Sequence, residues 1–333
     1  MPELTRKNIA IVSFEGDLHA LIIRHALGQY PDVDCHVIEV DRLCGGPSLT
    51  WDLTDTKQAG SAIVNREGAV IPIETLDVIW WRRTNTAQRI PPEVVEGAHR
   101  DVINRSCSAA LLGTLYTEFS GIWINNPSAT ELASNKVVQL RAAKKAGFRV
   151  PQTLVTQDPH AIRRFDDMMA GDLIVKTVEP TSQANLFARK LTRAHLAGDA
   201  AIMLCPTIYQ EFIPGQKHLR VNCFGKDTYA ILLENPNLDW REDLSGTRMS
   251  VVELDEKTKQ GLYQVCEELD LEMGIFDLKL DPGGTAVWLE VNPQGQFLFI
   301  QGLIGLDLAS AFAAFLYDRA VKANSRGISL DRS

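Results

Sequence analysis

Two carboxylates occupy facing positions in a short hairpin near the end of the chain. The segment FDLKLDPGGTAVWLEVN, residues 276–292, has the pattern of two strands joined by a turn at Gly283-Gly284. A two-residue loop there pairs Asp277 with Glu290, with Cβ atoms about 5 Å apart. Like charges in such a position destabilise a sheet, so the pair needs a compensating partner. A divalent cation would provide it, and Mg²⁺ favours carboxylate oxygens.

Alternation along the two strands assigns the other side chains of the hairpin to two faces. The predicted register pairs Lys279 with Trp288 and puts both on the carboxylate face, together with Asn292. The opposite, apolar face carries Phe276, Leu278, Leu280, Val287, Leu289 and Val291. No Cys or His lies on the carboxylate face, so a softer metal such as zinc is disfavoured. A solvated face that tolerates one repulsive pair is the alternative, and the hairpin alone does not decide between them.

A magnesium ion that carries phosphates would need cations nearby, and three residues are candidates. Lys136 lies early in a helix in SNKVVQ, Lys176 ends the strand-like segment DLIVK, and Arg220 lies in the strand-like segment HLRVN. Lysine binds phosphate as a point charge, and arginine can bind two oxygens at once. Each residue taken alone is more often a solvated surface residue.

The segment IYQEFIPG runs from a strand into a proline turn and has a pattern suited to a nucleobase. Backbone N–H and C=O groups of such a linker can hold an adenine ring between apolar walls. The residues concerned are Gln210, Glu211, Phe212 and Ile213. An edge strand that ends in a turn is the alternative interpretation of this segment.

Composition excludes several classes of protein. The 333 residues carry a net charge of -8, which argues against a broad nucleic-acid footprint. No apolar run approaches the roughly 20 residues needed to span a bilayer, and the N-terminus lacks a signal-peptide core. Six cysteines are scattered without a C-x-x-C pair, and seven histidines show no zinc spacing. We therefore expect a cytoplasmic protein with reduced thiols, without a membrane or nucleic-acid partner.

Strand and helix signals alternate in the first third of the chain, which predicts a parallel α/β domain at residues 1–125. No G-x-G-x-x-G motif supports dinucleotide binding there. Residues 129–151 have the pattern of one amphipathic helix ended by Gly147. Three strands in close succession between residues 207 and 235 predict an antiparallel sheet. A helix follows from about Asp307 to Val321, and residues 324–333 have the composition of a loose tail.

These residues together resemble an ATP-grasp ligase. Lys136, Lys176, Gln210–Ile213, Arg220, Asp277, Glu290 and Asn292 follow the order of that family's nucleotide and metal residues, and LEVNPQGQF contains its E-x-N motif. The segments VIWWRRT, NKVVQLRAAKKAGFRVPQTLVTQDP, NPNLDWRED and LEVNPQGQFLFIQ are similar to the graspetide synthetases, which macrocyclise microviridin- and marinostatin-type peptides. One segment departs from the pattern: KTVEPTSQANLFARK, residues 176–190, contains no glycine. Thr181 and Ser182 could supply hydroxyl and backbone donors to the phosphates instead, and how the phosphates are covered stays open.

The resemblance implies a Rossmann-like pre-ATP-grasp domain and a two-part ATP-grasp fold with antiparallel sheets, a central part at 126–204 and a C-terminal part at 205–323. It implies ATP and Mg²⁺ as cofactors, with Asp277, Glu290 and Asn292 as metal ligands. Lys136, Lys176 and the linker Gln210–Ile213 would bind the nucleotide. The catalytic cations would be Arg220, Arg241 and Lys279.

For the substrate, the resemblance implies a ribosomal precursor peptide with a leader and a core. An Asp or Glu of the core, activated as an acylphosphate, would join Thr or Ser as an ester, or Lys as an amide. Arg82, Arg83, Asp239 and Trp240 would bind this peptide, and we expect a homodimer. Two alternatives remain open: a ligase that adds a free amino acid, of the glutathione-synthetase or glutamate-ligase kind, and a non-catalytic ATP-binding regulator.

Overall fold

The chain divides into two compact units, residues 1–127 with 296–333, and residues 128–295. The computed structural model describes residues 6–46, 48–54, 60–179 and 187–323 and the backbone of 324–330. The first boundary lies at Pro127. The second lies just after the carboxylate hairpin.

The first unit is built on a parallel sheet with the strand order β2-β1-β6-β7. Apolar side chains cover both faces of this sheet, so the central residues 9–12 are fully buried, as expected for a parallel sheet. A small antiparallel sheet is formed by β3, β4 and β5, and the turn between β4 and β5 lies at Asn65–Gly68. The elements are β1 (Lys7–Ser13), α1 (Leu18–Leu27), β2 (Val33–Glu39), β3 (Leu49–Thr50), β4 (Ala62–Val64), β5 (Val70–Pro72), β6 (Val78–Trp81), α2 (Gly97–Glu118) and β7 (Ile122–Ile124).

The second unit contains two antiparallel sheets, with the orders β10-β9-β11-β8 and β14-β13-β12-β15-β16. Its elements are α3 (Pro127–Ser134), α4 (Lys136–Lys145), β8 (Thr153–Thr156), α5 (Pro159–Met168), β9 (Leu173–Thr177), β10 (Arg189–Lys190), α6 (Arg193–Leu196), α7 (Asp199–Ile202), β11 (Thr207–Glu211), β12 (Lys217–Phe224), β13 (Asp227–Glu234), β14 (Arg248–Val252), α8 (Glu256–Glu268), β15 (Met273–Leu280) and β16 (Ala286–Asn292). The prediction that β11, β12 and β13 form one sheet is wrong. β11 belongs to the four-stranded sheet, and the chain leaves that sheet at the proline turn after β11. Of the three strands, only β12 and β13 pair with each other.

The predicted helix at 129–151 is two helices, because Asn135 interrupts it. The Asn135 side chain accepts hydrogen bonds from the N–H groups of Val137 (3.0 Å) and Val138 (3.4 Å) and caps α4. Asparagine is among the strongest N-cap residues, since its oxygen satisfies N–H groups that have no partner inside the helix. Lys136 is therefore the first residue of α4, at a helix N-terminus rather than within a helix.

The chain returns to the first unit after residue 295, which differs from the predicted division. The prediction places residues 205–323 in a single subdomain, whereas in the structure the last two helices, α9 (Leu298–Ile304) and α10 (Leu308–Leu330), belong to the same unit as β1 and α1. Buried apolar residues of α10, among them Phe312, pack on that sheet, with Phe312 against Trp80 (4.7 Å between ring centroids). The predicted loose tail at 324–333 is helical as far as Leu330, since extending a formed helix costs less than starting one.

The predicted fold class is confirmed: a parallel α/β unit comes first and antiparallel sheets follow. Among the described residues, no helix has both the length and the apolar content needed to cross a membrane.

Candidate functional site

The carboxylate hairpin has the predicted pairing at its centre and a different register towards its turn. Asp277 lies opposite Glu290, as predicted, but Leu278 pairs with Trp288 and Lys279 with Val287. Leu289 is the extra residue of a β-bulge, and a bulge reverses the faces of the strand beyond it. The prediction that Trp288 shares the carboxylate face is therefore wrong.

The bulge gives the hairpin one apolar face and one polar face. Trp288 is fully buried and packs against Phe276 and Phe148 (5.8 and 5.5 Å between ring centroids). Leu289, predicted to be a core residue, lines a cavity with Glu290 instead. Helices α4 and α8 cover the apolar face of the five-stranded sheet, and the cavity lies on the other face.

Arg220 is the cross-strand neighbour of Asp277 on the cavity face. Its Nη1 donates to both carboxylate oxygens of Asp277 (2.8 and 2.9 Å), and both residues are buried. Burial raises the pKa of Asp277, the Arg220 guanidinium opposes that rise, and Glu290 adds to it. A second cation beside these carboxylates would relieve both the burial cost and the repulsion.

Arg241 occupies the equivalent place beside Glu290. Its Nη1 donates to Glu290 Oε1 (3.3 Å), while Nε and Nη2 hold both oxygens of Asp239 (2.8 and 2.6 Å). Asp239 in turn accepts the Arg241 backbone N–H, which starts a short 3₁₀ helix at Trp240–Glu242. The Trp240 ring lies 5.5 Å from the Arg220 guanidinium. The DWRED segment is thereby joined to the carboxylate pair.

The residues present suit a hard divalent cation by their chemistry. Asp277 and Glu290 offer only oxygens, and the described residues contain no group of three or more His, Cys, Asp and Glu side chains suited to a metal. A pair of carboxylates is the usual protein contribution to Mg²⁺, which takes its remaining ligands from water and phosphate. Asn292, the third predicted ligand, is exposed, and its side-chain oxygen accepts the Gln294 N–H (2.9 Å). It would have to turn to reach a metal.

Three lysines lie around the same cavity, and none has an ion-pair partner within 4 Å among the described residues. Lys136 donates to the carbonyl of Thr177 (3.1 Å). Burial lowers the pKa of Lys176 to about 8, although Glu290 opposes the shift. Burial also lowers the pKa of Lys136 and of Lys279. These lysines are cations held without an anion.

The cavity places most of the predicted residues together in the second unit. Of the predicted residues, Lys136, Lys176, Gln210, Glu211, Ile213, Asp239, Trp240, Arg241, Asp277, Lys279 and Glu290 line it. Phe212 is not among the described residues that line the cavity, and its contact with nucleotide stays a prediction. Its side chain alternates away from those of Glu211 and Ile213, and the Lys190 ammonium lies 3.3 Å from its ring centroid.

In the predicted adenine linker Gln210–Ile213, two backbone N–H groups donate hydrogen bonds within the protein and one does not among the described residues. Glu211 N–H donates to Gln152 O (2.8 Å) and Phe212 N–H to Asp172 O (3.0 Å). Ile213 N–H has no partner within the part of the chain that the structure describes. The Glu211 carboxylate is held by Arg149 (2.6 Å), which fixes the linker from outside.

Two buried polar atoms beside the cavity have no partner among the described residues, Gln210 Oε1 and His218 Nε2. Burial lowers the pKa of His218 to about 4, with Lys279 adding to the shift, so its ring is neutral at physiological pH. His218 was not predicted. It lies two residues before Arg220 in β12, so alternation places both on one face, and that spacing was the signal that could have found it.

Arg82 and Arg83 belong to the first unit and have different surroundings. Arg82 is 1% exposed and donates from Nε to Asp17 Oδ2 (2.6 Å), while its Nη1 has no partner among the described residues, and peptide binding by Arg82 stays a prediction. Arg83 is exposed. Thr181 and Ser182, predicted to cover phosphates, lie outside the described residues.

Comparison with known proteins gives no match to a family model and no related curated sequence. Solved structures do match. An ATP-grasp ligase associated with RiPPs from Chryseobacterium gregarium, in complex with ADP and a leader and core peptide, has a TM-score of 0.83. Its identity is 20%, and the match covers 94% of this chain and 97% of that one.

Two macrocyclases from Microcystis aeruginosa MRC are also similar. MdnC, bound with the precursor peptide MdnA, has a TM-score of 0.81 at 20% identity, over 93% of this chain and 99% of its own. MdnB has a TM-score of 0.76 at 25% identity, over the same shares. The chain has the ATP-grasp fold. The matches to these structures cover 93–94% of this chain and therefore include both sheets beside the cavity.

Proposed function

We propose that this protein is an ATP-dependent macrocyclase that forms side-chain ester or amide bonds in a ribosomal precursor peptide. One observation carries the proposal: the facing carboxylates of buried Asp277 and half-buried Glu290 line a single cavity in a chain with the ATP-grasp fold, together with lysines that have no ion pair among the described residues. Lysines without an anion suit a polyphosphate, and facing carboxylates suit the Mg²⁺ that accompanies it. The likeness to structures with bound precursor peptides supports a peptide as the substrate.

ATP would transfer its γ-phosphoryl group to a peptide carboxylate and leave as ADP. A hydroxyl or amine of the peptide would then attack the acylphosphate, expel phosphate and lose its proton. Lys136 and Lys176 would bind the α- and β-phosphates, because neither lysine has an ion pair with any residue that the structure describes. Gln210 Oε1 and Ile213 N–H offer an acceptor and a donor to the base. Asp277 and Glu290, with Asn292, would hold the Mg²⁺ ions, and catalysis would rest on positioning and charge neutralisation.

Arg220 and Arg241 would act on the reacting carboxylate. Each now neutralises a carboxylate of the site. Asp277 and Glu290 would hold Mg²⁺, whose charge would neutralise them. The guanidinium N–H groups of Arg220 and Arg241 would then be available to the transferred phosphoryl group and to the oxyanion of the attack. Lys279 would add positive charge beside them, and Asp239 keeps Arg241 in place through two hydrogen bonds. Trp240 and Arg83 would contact the peptide.

The finer features of the proposal are a microviridin- or marinostatin-type core, a leader bound apart from it, a homodimer and a cytoplasmic location. A leader that stays bound would allow several rings to close on one enzyme, and one chain carrying both reacting groups raises their effective concentration.

Mass spectrometry of a precursor peptide incubated with enzyme, ATP and Mg²⁺ tests the proposal. Each ring should remove one water, a loss of about 18 Da, because acyl transfer through an acylphosphate is a net dehydration. Arg241→Ala should stop cyclisation while the variant still binds leader peptide. Arg248→Ala is the matched control, since Arg248 is an exposed arginine of the same sheet whose nearest carboxylate, Glu234, is 3.9 Å away. A product that gains the mass of an amino acid would instead identify a ligase of the glutamate-adding kind.

A further inference from the structure

Gln139 joins α4 to the strand that carries Glu290. It lies one helical turn after Lys136 and is 4% exposed. Its Oε1 accepts the Val291 N–H (3.1 Å) and its Nε2 donates to the Val291 carbonyl (2.8 Å). The side-chain amide of Gln139 therefore pairs with Val291 as the peptide group of a neighbouring strand would.

Val291 is the residue between two of the predicted metal ligands, Glu290 and Asn292. It lies in β16, an edge strand that pairs with β15 on one side. On the other side the two bonds to Gln139 hold its backbone. Because successive side chains leave a strand from a continuous backbone, fixing Val291 also fixes where both neighbouring side chains begin.

A third hydrogen bond extends the connection to the phosphate side of the cavity. Gln139 Nε2 also donates to the carbonyl of Ala133 (2.7 Å), near the end of α3. The next residues, Ser134 and Asn135, lead directly into the cap that sets Lys136 at the start of α4. One buried amide thus links the strand of Glu290 with the helix start of Lys136.

We propose that Gln139 is a positioning residue that sets the separation between the metal-binding strand and the phosphate-binding Lys136. The inference rests on the proposed function, because it requires that these groups bind Mg²⁺ and nucleotide. An amide suits the role, since it offers a donor and an acceptor side by side and carries no charge. Groups that orient metal ligands without touching the metal typically change metal affinity 10- to 100-fold when they are replaced.

The substitution Gln139→Met keeps the length of the side chain and removes its three hydrogen bonds. Mn²⁺ serves as a paramagnetic probe, and its binding to the protein–ADP complex is measured by electron paramagnetic resonance. We expect about a 10-fold weaker Mn²⁺ affinity, with the affinity for metal-free ADP unchanged in calorimetry. Turnover should then recover as Mg²⁺ is raised.

Gln88→Met is the matched control. Gln88 is also buried (7% exposed), and its side chain donates to Val40 O (2.6 Å) and accepts the Cys44 N–H (3.1 Å), within the first unit. Both variants should lose thermal stability, but only Gln139→Met should lose Mn²⁺ affinity. Equal Mn²⁺ affinity in Gln139→Met and wild type, or an equal loss in Gln88→Met, would overturn the positioning role.

Hydrogen exchange of the wild-type chain gives a test that needs no variant. The Val291 amide should be protected although it faces the edge of the sheet, and exchange at the rate of an exposed edge amide would overturn the proposal. A wild-type protein that binds no Mn²⁺ with ADP would overturn the proposed function as well. Normal wild-type binding that Gln139→Met leaves unaltered would reject only the role of Gln139.

Discussion

Two buried arginine–carboxylate pairs, one in each unit, consist of the same residue types and differ in their surroundings. Arg82 holds Asp17 at 2.6 Å, where the Ser13 hydroxyl also donates to the carboxylate (2.7 Å). Protein surrounds this pair, with the Trp80 ring 5.1 Å from the guanidinium. The charges of this pair are balanced, although Arg82 Nη1 has no hydrogen-bond partner among the described residues.

The pair Arg220–Asp277 lies at a cavity where charge is out of balance. The cavity residues and their direct ion-pair partners include six cations, Lys136, Arg149, Lys176, Arg220, Arg241 and Lys279, and four carboxylates, Glu211, Asp239, Asp277 and Glu290. Buried ion pairs alone are weak evidence of function. An excess of cations beside a cavity is better evidence of function, because unbalanced positive charge lowers the stability of the fold until an anion binds.

The largest effect should come from the carboxylate pair. Glu290→Gln removes the charge that faces Asp277, and we expect ADP formation to fall roughly 10³-fold with the fold intact, since a preorganised charge of the site is lost. Coupled assay of ADP and circular dichroism measure the two quantities. Glu234→Gln, in β13 of the same sheet, is the control and should keep wild-type turnover. Near-normal turnover by Glu290→Gln would remove the carboxylate pair from the proposed site.

Arg82→Met should change stability instead. It leaves Asp17 buried without its partner, and breaking such a pair typically costs about 3–5 kcal/mol of the free energy of unfolding. Denaturant titration measures the loss, and the double variant Arg82→Met/Asp17→Leu should recover part of it. Wild-type stability with weaker peptide binding would show instead that the sequence-based assignment of Arg82 to the substrate was right.

Lys176 should give a smaller effect with a distinctive pH dependence. Its pKa of about 8 in the free protein should rise when phosphate binds, because the anion favours the ammonium form. ATP affinity should therefore be constant below about pH 8 and fall as the pH rises above it, as measured by calorimetry. Lys176→Met should weaken binding by about 1–3 kcal/mol at neutral pH and abolish this dependence. The exposed Lys144→Met is the control, and the same pH dependence in Lys176→Met would assign the titration to another group.

Arg149→Ala should have the smallest effect. Its guanidinium is partly exposed and contacts Glu211 (2.6 Å) and Asp281 (3.7 Å). Exposed ion pairs contribute roughly 0–1 kcal/mol, so thermal unfolding should shift little. A loss as large as that expected for Arg82→Met would show that exposure is a poor guide to the strength of these pairs.

The sequence predicts the central pairing of the hairpin better than its faces. Asp277 and Glu290 oppose each other as alternation requires, but the bulge at Leu289 has no local signal, since the extra residue is neither glycine nor proline. The prediction places the apolar Trp288 on the same face as charged side chains, which is an unfavourable position for tryptophan. In the structure the bulge turns Trp288 to the opposite face, where it packs against Phe276.

Arg82 shows another limit of prediction from sequence. Alternation separates a buried face from a solvated one when a sheet has one of each. The parallel sheet of the first unit is covered on both sides, and β6 ends at Trp81, so no strand pattern distinguishes the surroundings of Arg82 from those of Arg83. The partner Asp17 comes from 65 residues earlier in the chain, and no local pattern connects the two.

The closed edge of β16 affects how a peptide approaches Glu290. Extended peptides often bind by adding a strand to an exposed sheet edge. Here both outward backbone groups of Val291 are bonded to Gln139, and the Trp288 N–H donates to the Arg149 carbonyl (2.9 Å). An incoming strand would have to exchange these bonds for its own and would gain little free energy. A substrate side chain must therefore come to Glu290 from the cavity side, across the face of the sheet, with its own backbone unpaired along this edge.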